Sequence, residues 1–363
     1  MRRGSGRNTS ASFRYQRALS IADATTALSR AGAAPMGGGT DLLVSLDEGF
    51  VEADSVVDLR QIPDGAGITS LADGSVRIGA ATRVHDLATH PLITSQYGSL
   101  AEACGSVGTP ALRQMGTIGG NLCQRPRCWY LRRDVPCLKN PKRERVEADA
   151  RREASGVGNG VTDCPARDGE NQYHAILEGG PCYIVHPSDP AVALTALEAR
   201  IEIAGGAEAQ TVPIANFFVT PLERLDSETV LRHGEFVRAV ILPRESAGGR
   251  QSYMKLMQRG SWDFALVSAA AVKRTDGNVR IVLGGVAPRP WRVPESLEED
   301  VSAGALDEDA IATIAERALY DAAPLSKNGY KVRLAETLIR RSIATLLDSR
   351  PSLRSGHAPR GTS

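Results

Sequence analysis

The segment PMGGGTD, residues 35–41, places three consecutive glycines before a threonine and an aspartate. Glycine adopts backbone angles that are mostly closed to bulkier residues, so the N–H groups of residues 37–40 can converge on an anion. The pyrophosphate of a nucleotide is a natural guest for such a turn. A glycine-rich turn alone is more often structural, and this one lacks both the lysine of a P-loop and the GxGxxG spacing of a Rossmann fingerprint.

A second glycine cluster changes the balance between these two interpretations. GTIGGN spans residues 116–121, and HPSDP, residues 186–190, has the serine, aspartate and proline that are typical of a helix start. Two glycine turns and a helix N-terminus can together hold a dinucleotide at several points without a Rossmann motif. The sequence therefore indicates dinucleotide binding by another type of fold.

Length and composition limit the classes of protein to which the chain can belong. With 363 residues it exceeds the size at which single cores stop growing, about 250–300 residues, so two domains are expected. Its 43 basic and 42 acidic side chains nearly cancel, which argues against a general nucleic-acid or membrane partner. No apolar run approaches the roughly 18 residues that span a bilayer, and the first residues lack the apolar core of a signal peptide. A cytoplasmic location is therefore expected.

Helix and strand patterns mix along the chain without a regular βα alternation or a repeat period. SIADATTALSRAG predicts a helix capped by Ser20. An insert at residues 124–182 is rich in arginine, cysteine and proline, and its charged centre predicts a solvated helix or a disordered loop. The composition shifts near Pro243. We expect a first domain at residues 13–243, a second at residues 244–350, and disordered ends at residues 1–12 and 351–363.

Six motifs resemble those of one known family. PMGGGTDLL, GTIGGNL, PSDPAVALTALEA, GSWDFALVSAAA, LGGVAPRPWR and KNGYKVRLAETLIRRSI occur in the order found in FAD-binding subunits of the xanthine dehydrogenase and aldehyde oxidoreductase family of molybdenum hydroxylases. The resemblance runs from about Phe13 to Leu347. It implies an α+β fold: a two-lobed FAD-binding domain of the vanillyl-alcohol-oxidase/PCMH type, followed by a smaller C-terminal α+β domain with an antiparallel sheet and helices.

The resemblance also implies the residues that contact FAD. In that family both glycine turns hold FAD, and the segment that matches HPSDP lies at the flavin. YMKLMQRGSWDFAL, with Lys255, Arg259, Asp263 and Phe264, matches a segment that approaches the flavin ring, where a cation would stabilise the reduced, anionic form; surface salt bridging is the alternative. The implied cofactor-binding residues are Gly37, Gly38, Gly39, Thr40, Asp41, Thr117, Gly119, Gly120, Asn121, Ser188, Asp189 and Lys255.

The chain between the GTIGGN turn and the PSD segment holds five of the six cysteines. Most members of the family have a short connection here. The insert resembles that of a subgroup, the 4-hydroxybenzoyl-CoA reductase β subunit and the FAD subunit of periplasmic aldehyde oxidoreductases, in which it binds a [4Fe–4S] cluster. The implied ligands are Cys128, Cys137, Cys164 and Cys182. Nearby arginines favour the thiolate form, whereas a long charged segment between the second and third cysteines departs from the pattern of the subgroup.

Other uses of the cysteines stay open on the sequence alone. A zinc site would favour paired cysteine knuckles, but eight residues separate Cys128 from Cys137. Disulfides become reasonable if the chain is exported. Cys123 is expected to be a small packed side chain and Cys104 a core residue. Because both glycine turns precede the insert, flavin binding is expected to survive replacement of any of the insert's cysteines.

These features predict an oxidoreductase subunit that carries FAD and a [4Fe–4S] cluster. The chain lacks the cysteine spacing of a plant-type [2Fe–2S] domain. The resemblance therefore implies a [2Fe–2S] small subunit and a molybdopterin-binding large subunit as partners, with an external electron acceptor. A partner with a twin-arginine signal could carry the folded chain to the periplasm. Two alternatives come from other classes: a self-sufficient flavin reductase on the same fold, and a metal-stabilised module that binds an acidic partner.

Overall fold

The computed structural model describes residues 12–133, 135–140, 163–206, 209–304 and 306–347. The disordered ends predicted at residues 1–12 and 351–363, apart from residue 12, and the solvated helix or loop predicted at the charged centre of the insert lie outside these ranges. Within them, three β-sheets are packed against helices. No described helix is both long enough and apolar enough to cross a membrane.

The first part of the chain contains two sheets. Its strands are β1 (Arg14–Arg17), β2 (Ala33–Met36), β3 (Ser55–Asp58), β4 (Ile68–Ser70), β5 (Val76–Gly79), β6 (Arg200–Ala204), β7 (Gln210–Pro213) and β8 (Phe236–Leu242). A small parallel sheet has the order β1-β3-β2, and an antiparallel sheet has the order β4-β5-β8-β6-β7. The insert lies between β5 and β6 in sequence, so the second sheet closes only after the chain returns from it.

The second part of the chain forms an antiparallel sheet with the order β12-β11-β10-β9. Its strands are β9 (Arg250–Leu256), β10 (Val267–Lys273), β11 (Val279–Gly284) and β12 (Trp291–Arg292). Successive side chains of a strand point to opposite faces. Ala269 and Ala271 accordingly pack against the C-terminal helices, whereas Ala270 and Val272 join the core of the first part. Both faces of this sheet are therefore buried, and the two parts share it. The predicted mixed fold with a C-terminal antiparallel sheet is confirmed.

The helices place the glycine segments and the insert around the sheets. Ser20 accepts a hydrogen bond from the N–H of Asp23 at 3.0 Å, so the cap predicted there is confirmed. Ser188 likewise accepts from the N–H of Ala191 at 3.0 Å. The helices are α1 (Ile21–Leu28), α2 (Leu42–Asp47), α3 (Val84–Thr89), α4 (Pro91–Gln96), α5 (Gly98–Gly105), α6 (Pro110–Met115), α7 (Ile118–Leu122), α8 (Trp129–Arg132), α9 (Asp189–Ala196), α10 (Glu295–Ala303), α11 (Glu308–Ala318) and α12 (Tyr330–Leu347).

Candidate functional site

The PMGGGTD turn connects β2 to α2 and packs against the second glycine segment. A Cβ atom on Gly38 would lie 1.8 Å from the backbone carbonyl oxygen of Met115, and one on Gly37 would lie 2.3 Å from Thr117 Oγ1. Gly39 has a φ of 75°, in the left-handed region that favours glycine. Gly37 and Gly38 are therefore needed because a side chain would prevent the two glycine segments from touching. Gly39 is needed for its positive φ.

The N–H groups of this turn are available to a ligand. Within the described part of the chain, none of the N–H groups of residues 37–40 donates a hydrogen bond to another residue. Residues 37–41 line a cavity of about 320 Å³ together with Thr117, Gly120 and Asn121. Backbone donors in folded proteins nearly always have a partner. The turn thus presents the unpaired donors that an anion-binding turn requires.

The GTIGGN segment differs from the expected second turn of free N–H groups. It begins α7, where Thr117 Oγ1 accepts from the N–H of Gly120 at 3.3 Å. The N–H of Gly119 donates to the carbonyl of Ala80 at 2.9 Å, and a Cβ on Gly119 would lie 2.8 Å from Ala80 Cβ. These glycines therefore permit close packing, and Thr117 and Asn121 contribute side chains to the cavity wall.

Two further cavities adjoin the first one. A cavity of about 120 Å³ shares Gly37, Thr117 and Cys123 with it. A cavity of about 390 Å³ shares Arg127 and Phe264 with it and is lined by residues of both parts of the chain. A row of adjoining cavities suits an elongated ligand such as a dinucleotide better than a compact one.

The predicted contacts in HPSDP meet those of the second glycine segment. The Ser188 hydroxyl donates to Asn121 Oδ1 at 2.5 Å while it caps α9. Asp189, the first residue of α9, lines the 390 Å³ cavity. The Ser188–Asn121 hydrogen bond thus links residues that are 67 positions apart in sequence, one in the wall of each cavity.

Asp189 forms a buried ion pair with Lys255. The two side chains are 6% and 4% exposed, and Lys255 Nζ lies 2.7 Å from Asp189 Oδ2. The Tyr253 hydroxyl donates to the other carboxylate oxygen at 2.6 Å, and Lys255 also donates to the Ser106 carbonyl at 3.1 Å. Burial raises the pKa of Asp189, and the lysine and tyrosine act against that rise. The predicted cation is therefore present, but its charge is matched by Asp189.

The rest of the predicted ring-approaching segment is more exposed. Arg259 and Asp263 form an ion pair at 3.4 Å in which the arginine side chain is 72% exposed. Exposed pairs of this kind contribute about 0–1 kcal/mol to stability. For Arg259, a surface salt bridge is therefore favoured over a role at the flavin ring. Phe264 differs, because it lines both the 320 and the 390 Å³ cavities.

The outgoing arm of the insert, defined here as residues 124–133 and 135–140, folds back onto the first glycine turn. Asp41 accepts the backbone N–H of Arg125 at 2.8 Å and a guanidinium N–H of Arg132 at 3.2 Å. Arg127 also donates to this carboxylate, and its guanidinium carbon lies 5.0 Å from the Phe264 ring centroid. The carboxylate of Asp41 therefore ties the turn to the insert. Sequence reasoning did not single out these arginines, although their position directly after GTIGGN was a usable signal.

The return arm of the insert, defined here as residues 163–182, is held by the KNGYK motif of the second part. The Asn328 side-chain amide donates to the carbonyls of His174 and Ala175, both at 3.1 Å. Asn328 Oδ1 accepts from the N–H of Leu325 at 2.6 Å. The asparagine is fully buried, so these bonds form away from solvent.

Lys331, at the start of α12, is a second anchor for the return arm. Its side chain is fully buried and donates to the carbonyls of Tyr173, His174 and Gly285 at 3.3, 3.0 and 2.5 Å. Burial lowers the pKa of Lys331 to about 7. Three carbonyl acceptors match the three N–H bonds of an ammonium group and oppose that shift. Sequence reasoning assigned no role to this lysine.

The four cysteines proposed as cluster ligands are divided equally between the two arms. Cys128 and Cys137 lie on the outgoing arm, and Cys164 and Cys182 lie on the return arm. The Cys182 thiol donates a hydrogen bond to Cys164, which lowers the pKa of Cys164 to about 6 and raises that of Cys182. Burial raises the pKa of Cys128 to about 12, and the charges of Cys137 and Cys164 act in the same direction. The two pairs are therefore neighbours.

No compact metal site is present among the residues that the structure describes: no three His, Cys, Asp or Glu side chains there are grouped closely enough to hold one ion. Cys128 Sγ instead lies 3.3 Å from His174 Nε2. No disulfide joins the cysteines, all six of which are described. Ligands of one ion surround a single point, whereas the cysteines of a four-iron cluster bind separate irons and lie farther apart.

The two remaining cysteines have different surroundings. Cys104 is fully buried on α5, so its predicted place in the core is confirmed. Cys123 is half-buried, packs against the same core and lines two of the cavities. Burial raises the pKa of the Cys123 thiol to about 12. Cys123 is therefore a neutral packing group, but one in the wall of the candidate site.

Comparison with known proteins identifies the family of this chain. A sequence model described as the FAD binding domain in molybdopterin dehydrogenase matches residues 11–245, and one described as the CO dehydrogenase flavoprotein C-terminal domain matches residues 252–346. The chain therefore belongs to the family of FAD-binding subunits of the molybdopterin dehydrogenases. It binds FAD, and its relatives are oxidoreductase subunits.

Individual relatives cover nearly the whole chain. The aldehyde oxidoreductase FAD-binding subunit PaoB of Escherichia coli is 33% identical over 345 residues, 92% of this chain and 97% of that protein. The carbon monoxide dehydrogenase medium chain of Hydrogenophaga pseudoflava is 25% identical over 342 residues, 91% of this chain and 96% of that protein. Quinoline 2-oxidoreductase from Pseudomonas putida shares the fold, with a TM-score of 0.68 at 20% identity over 93% of this chain and 97% of that chain.

Proposed function

We propose that this protein passes electrons through FAD between the partner subunits of a molybdenum-containing hydroxylase or dehydrogenase and an external acceptor. The observation that carries the proposal is the row of cavities that runs from the free N–H groups of the first glycine turn to the buried Asp189–Lys255 pair. The names of the relatives, aldehyde oxidoreductase and carbon monoxide dehydrogenase subunits, support the same class of reaction.

The residues present fit FAD. The N–H groups of residues 37–40 would bind the diphosphate, with Thr117 and Asn121 in the same wall. Ser188 and Asp189 would position the redox-active ring, and Lys255 would keep Asp189 ionised although it is buried. When bound, FAD accepts electrons in pairs and releases them singly, which links two-electron substrate chemistry to one-electron carriers.

We extend the proposal to a [4Fe–4S] cluster held by Cys128, Cys137, Cys164 and Cys182. Three of these cysteines are buried and Cys128 is half-buried, so solvent has little access to the sulfurs. Four thiolates form a donor set that suits such a cluster. The charge of Lys139 acts to lower the pKa of Cys182, although Lys139 also pairs with Glu228 at 2.9 Å. The cluster would then connect the two arms of the insert.

The proposed partners are a [2Fe–2S] small subunit and a molybdopterin-binding large subunit. The described residues are occupied by the flavin folds and the insert, and the chain carries no plant-type cysteine pattern. The substrate would be chosen on the large subunit, and the PaoB relative favours an aldehyde. The compartment follows the partners: cytoplasmic without an exported partner, periplasmic with one.

Turnover of the chain alone and of the complex tests this proposal. The chain purified alone should contain FAD and reduce dyes slowly with an added electron donor, but should not oxidise aldehydes or purines. Expression together with the proposed small and large subunits should give a complex that oxidises substrate and reduces the FAD of this chain. Robust aldehyde or purine oxidation by the chain alone would contradict the proposed division of labour.

A further inference from the structure

We propose that Arg127 of the outgoing arm is a diphosphate-binding residue, so that the insert forms part of the FAD site. The inference rests on the placement of FAD proposed above. Arg127 lines both the 320 Å³ cavity of the first glycine turn and the adjoining 390 Å³ cavity. Phe264 also lines both cavities, and the guanidinium carbon lies 5.0 Å from its ring centroid. The arginine therefore stands where the cavity of the free N–H groups meets the cavity of Asp189.

The hydrogen bonds of Arg127 leave room for an anion. One guanidinium nitrogen donates to Asp41 and the other terminal nitrogen donates to Gln124 Oε1 at 3.1 Å. A guanidinium has five N–H bonds, and the other three have no acceptor among the described residues. Its side chain is only 27% exposed, so water has limited access to these donors.

The charges around Arg127 also favour an additional anion. Asp41 is shared by Arg127 and Arg132, and Arg132 has a second partner in Glu48 at 2.8 Å. Two guanidinium groups therefore share one carboxylate. A phosphate at the free N–H groups would supply a further negative charge beside them. The planar guanidinium fork matches phosphate geometry better than a point charge does.

The test compares Arg127→Met with Arg132→Met, using protein from which FAD has been removed. Arg132 shares the same Asp41 carboxylate and lies on the same arm, but lines neither the 320 nor the 390 Å³ cavity. Arg132→Met therefore reports the effect of disturbing Asp41, together with the loss of the Glu48 pair, without removing a cavity-lining arginine. Dissociation constants are measured for FAD by flavin fluorescence, for riboflavin, which has no phosphate, and for ADP, which has no flavin ring, by competition.

Arg127→Met should weaken the binding of FAD and of ADP by about 10- to 100-fold, because charged hydrogen bonds to the diphosphate are lost. The dissociation constant of riboflavin should stay within about threefold of the wild-type value. The FAD affinity of Arg127→Lys should lie between those of the wild type and Arg127→Met, because lysine keeps the positive charge but loses the planar guanidinium fork. Three results would overturn the role of Arg127: riboflavin and FAD binding weakened equally, an unchanged dissociation constant for FAD, or the same loss of FAD affinity in Arg132→Met. Wild-type protein that binds no FAD would instead contradict the site as a whole.

Discussion

The two arms of the insert are held in place by different kinds of interaction. The outgoing arm reaches the first glycine turn through ion pairs of Asp41 with arginines, and these pairs are partly exposed beside the cavities. The return arm is held by buried hydrogen bonds, in which Asn328 and Lys331 donate to backbone carbonyls. Charges arranged around a cavity can respond to a ligand, whereas buried hydrogen bonds to carbonyls fix a shape. These differences favour the proposed role of the outgoing arm in FAD binding, and they make the return arm the more firmly anchored of the two.

The largest effect is expected at the turn on which the outgoing arm rests. Gly38→Val would place a side chain 1.8 Å from the Met115 carbonyl oxygen. Overpacking costs about 1–3 kcal/mol even where side chains can move, and here the obstacle is backbone, so FAD content should fall to near zero. Gly105→Ala is the control, because nothing lies within 4 Å of its added Cβ. Normal FAD content in the Gly38→Val protein would break the link between this turn and the cofactor.

The cysteines test whether the arms meet at one cluster. Cys128→Ser on the outgoing arm and Cys182→Ser on the return arm should each lose the iron, because a hard serine oxygen is a poor ligand for iron compared with thiolate. Cys123→Ser should keep its iron, since Cys123 is a packing group in the cavity wall. Iron and FAD are measured side by side. Iron that is retained without Cys128 but lost without Cys123 would mean that the ligand set is wrong.

The anchoring of the return arm predicts the next largest effect. Asn328→Ala removes two donors to buried carbonyls and an acceptor for Leu325. A buried polar group left without a partner costs about 1–3 kcal/mol, so the free energy of unfolding should fall by about 2–4 kcal/mol in a denaturant titration. Lys327→Ala is the matched control: its pair with Glu170 is exposed and should contribute less than about 1 kcal/mol. An equal fall in the free energy of unfolding in both variants would show that Asn328 anchors the return arm no better than an exposed ion pair does.

A pH effect is expected where the chain leaves the return arm. His186 is buried beside Phe218, and burial lowers its pKa from 6.5 to about 4. The unfolded chain therefore binds a proton that the folded chain excludes, so stability is complete above pH 6.5 and is lost as the pH falls towards 4. The loss amounts to about 3 kcal/mol at 1.36 kcal/mol per pKa unit. His186→Phe should unfold with a weaker pH dependence in this range; an unchanged dependence would exclude His186 as its source.

Local signals in the sequence were sufficient for part of this picture. The caps at Ser20 and Ser188 and the turn at residues 37–40 depend on residues within a few positions, so they could be predicted. In the second glycine segment, the N–H of Gly119 donates to the carbonyl of Ala80, which is distant in sequence, so local signals could not predict that this group is occupied. Lys331 was missed for the same reason, because nothing near it in the sequence indicates that it meets the His174 carbonyl. The position of Arg127 directly after GTIGGN was a usable signal, but its contact with Phe264 joins residues that are far apart in sequence.

The decisive measurement is the FAD and iron content of the wild-type protein prepared without oxygen. We expect one FAD and four irons for each chain, with flavin absorption bands on a broad iron–sulfur shoulder. Flavin without iron would contradict the cluster that is proposed to join the two arms, and a colourless protein would contradict the flavin site itself.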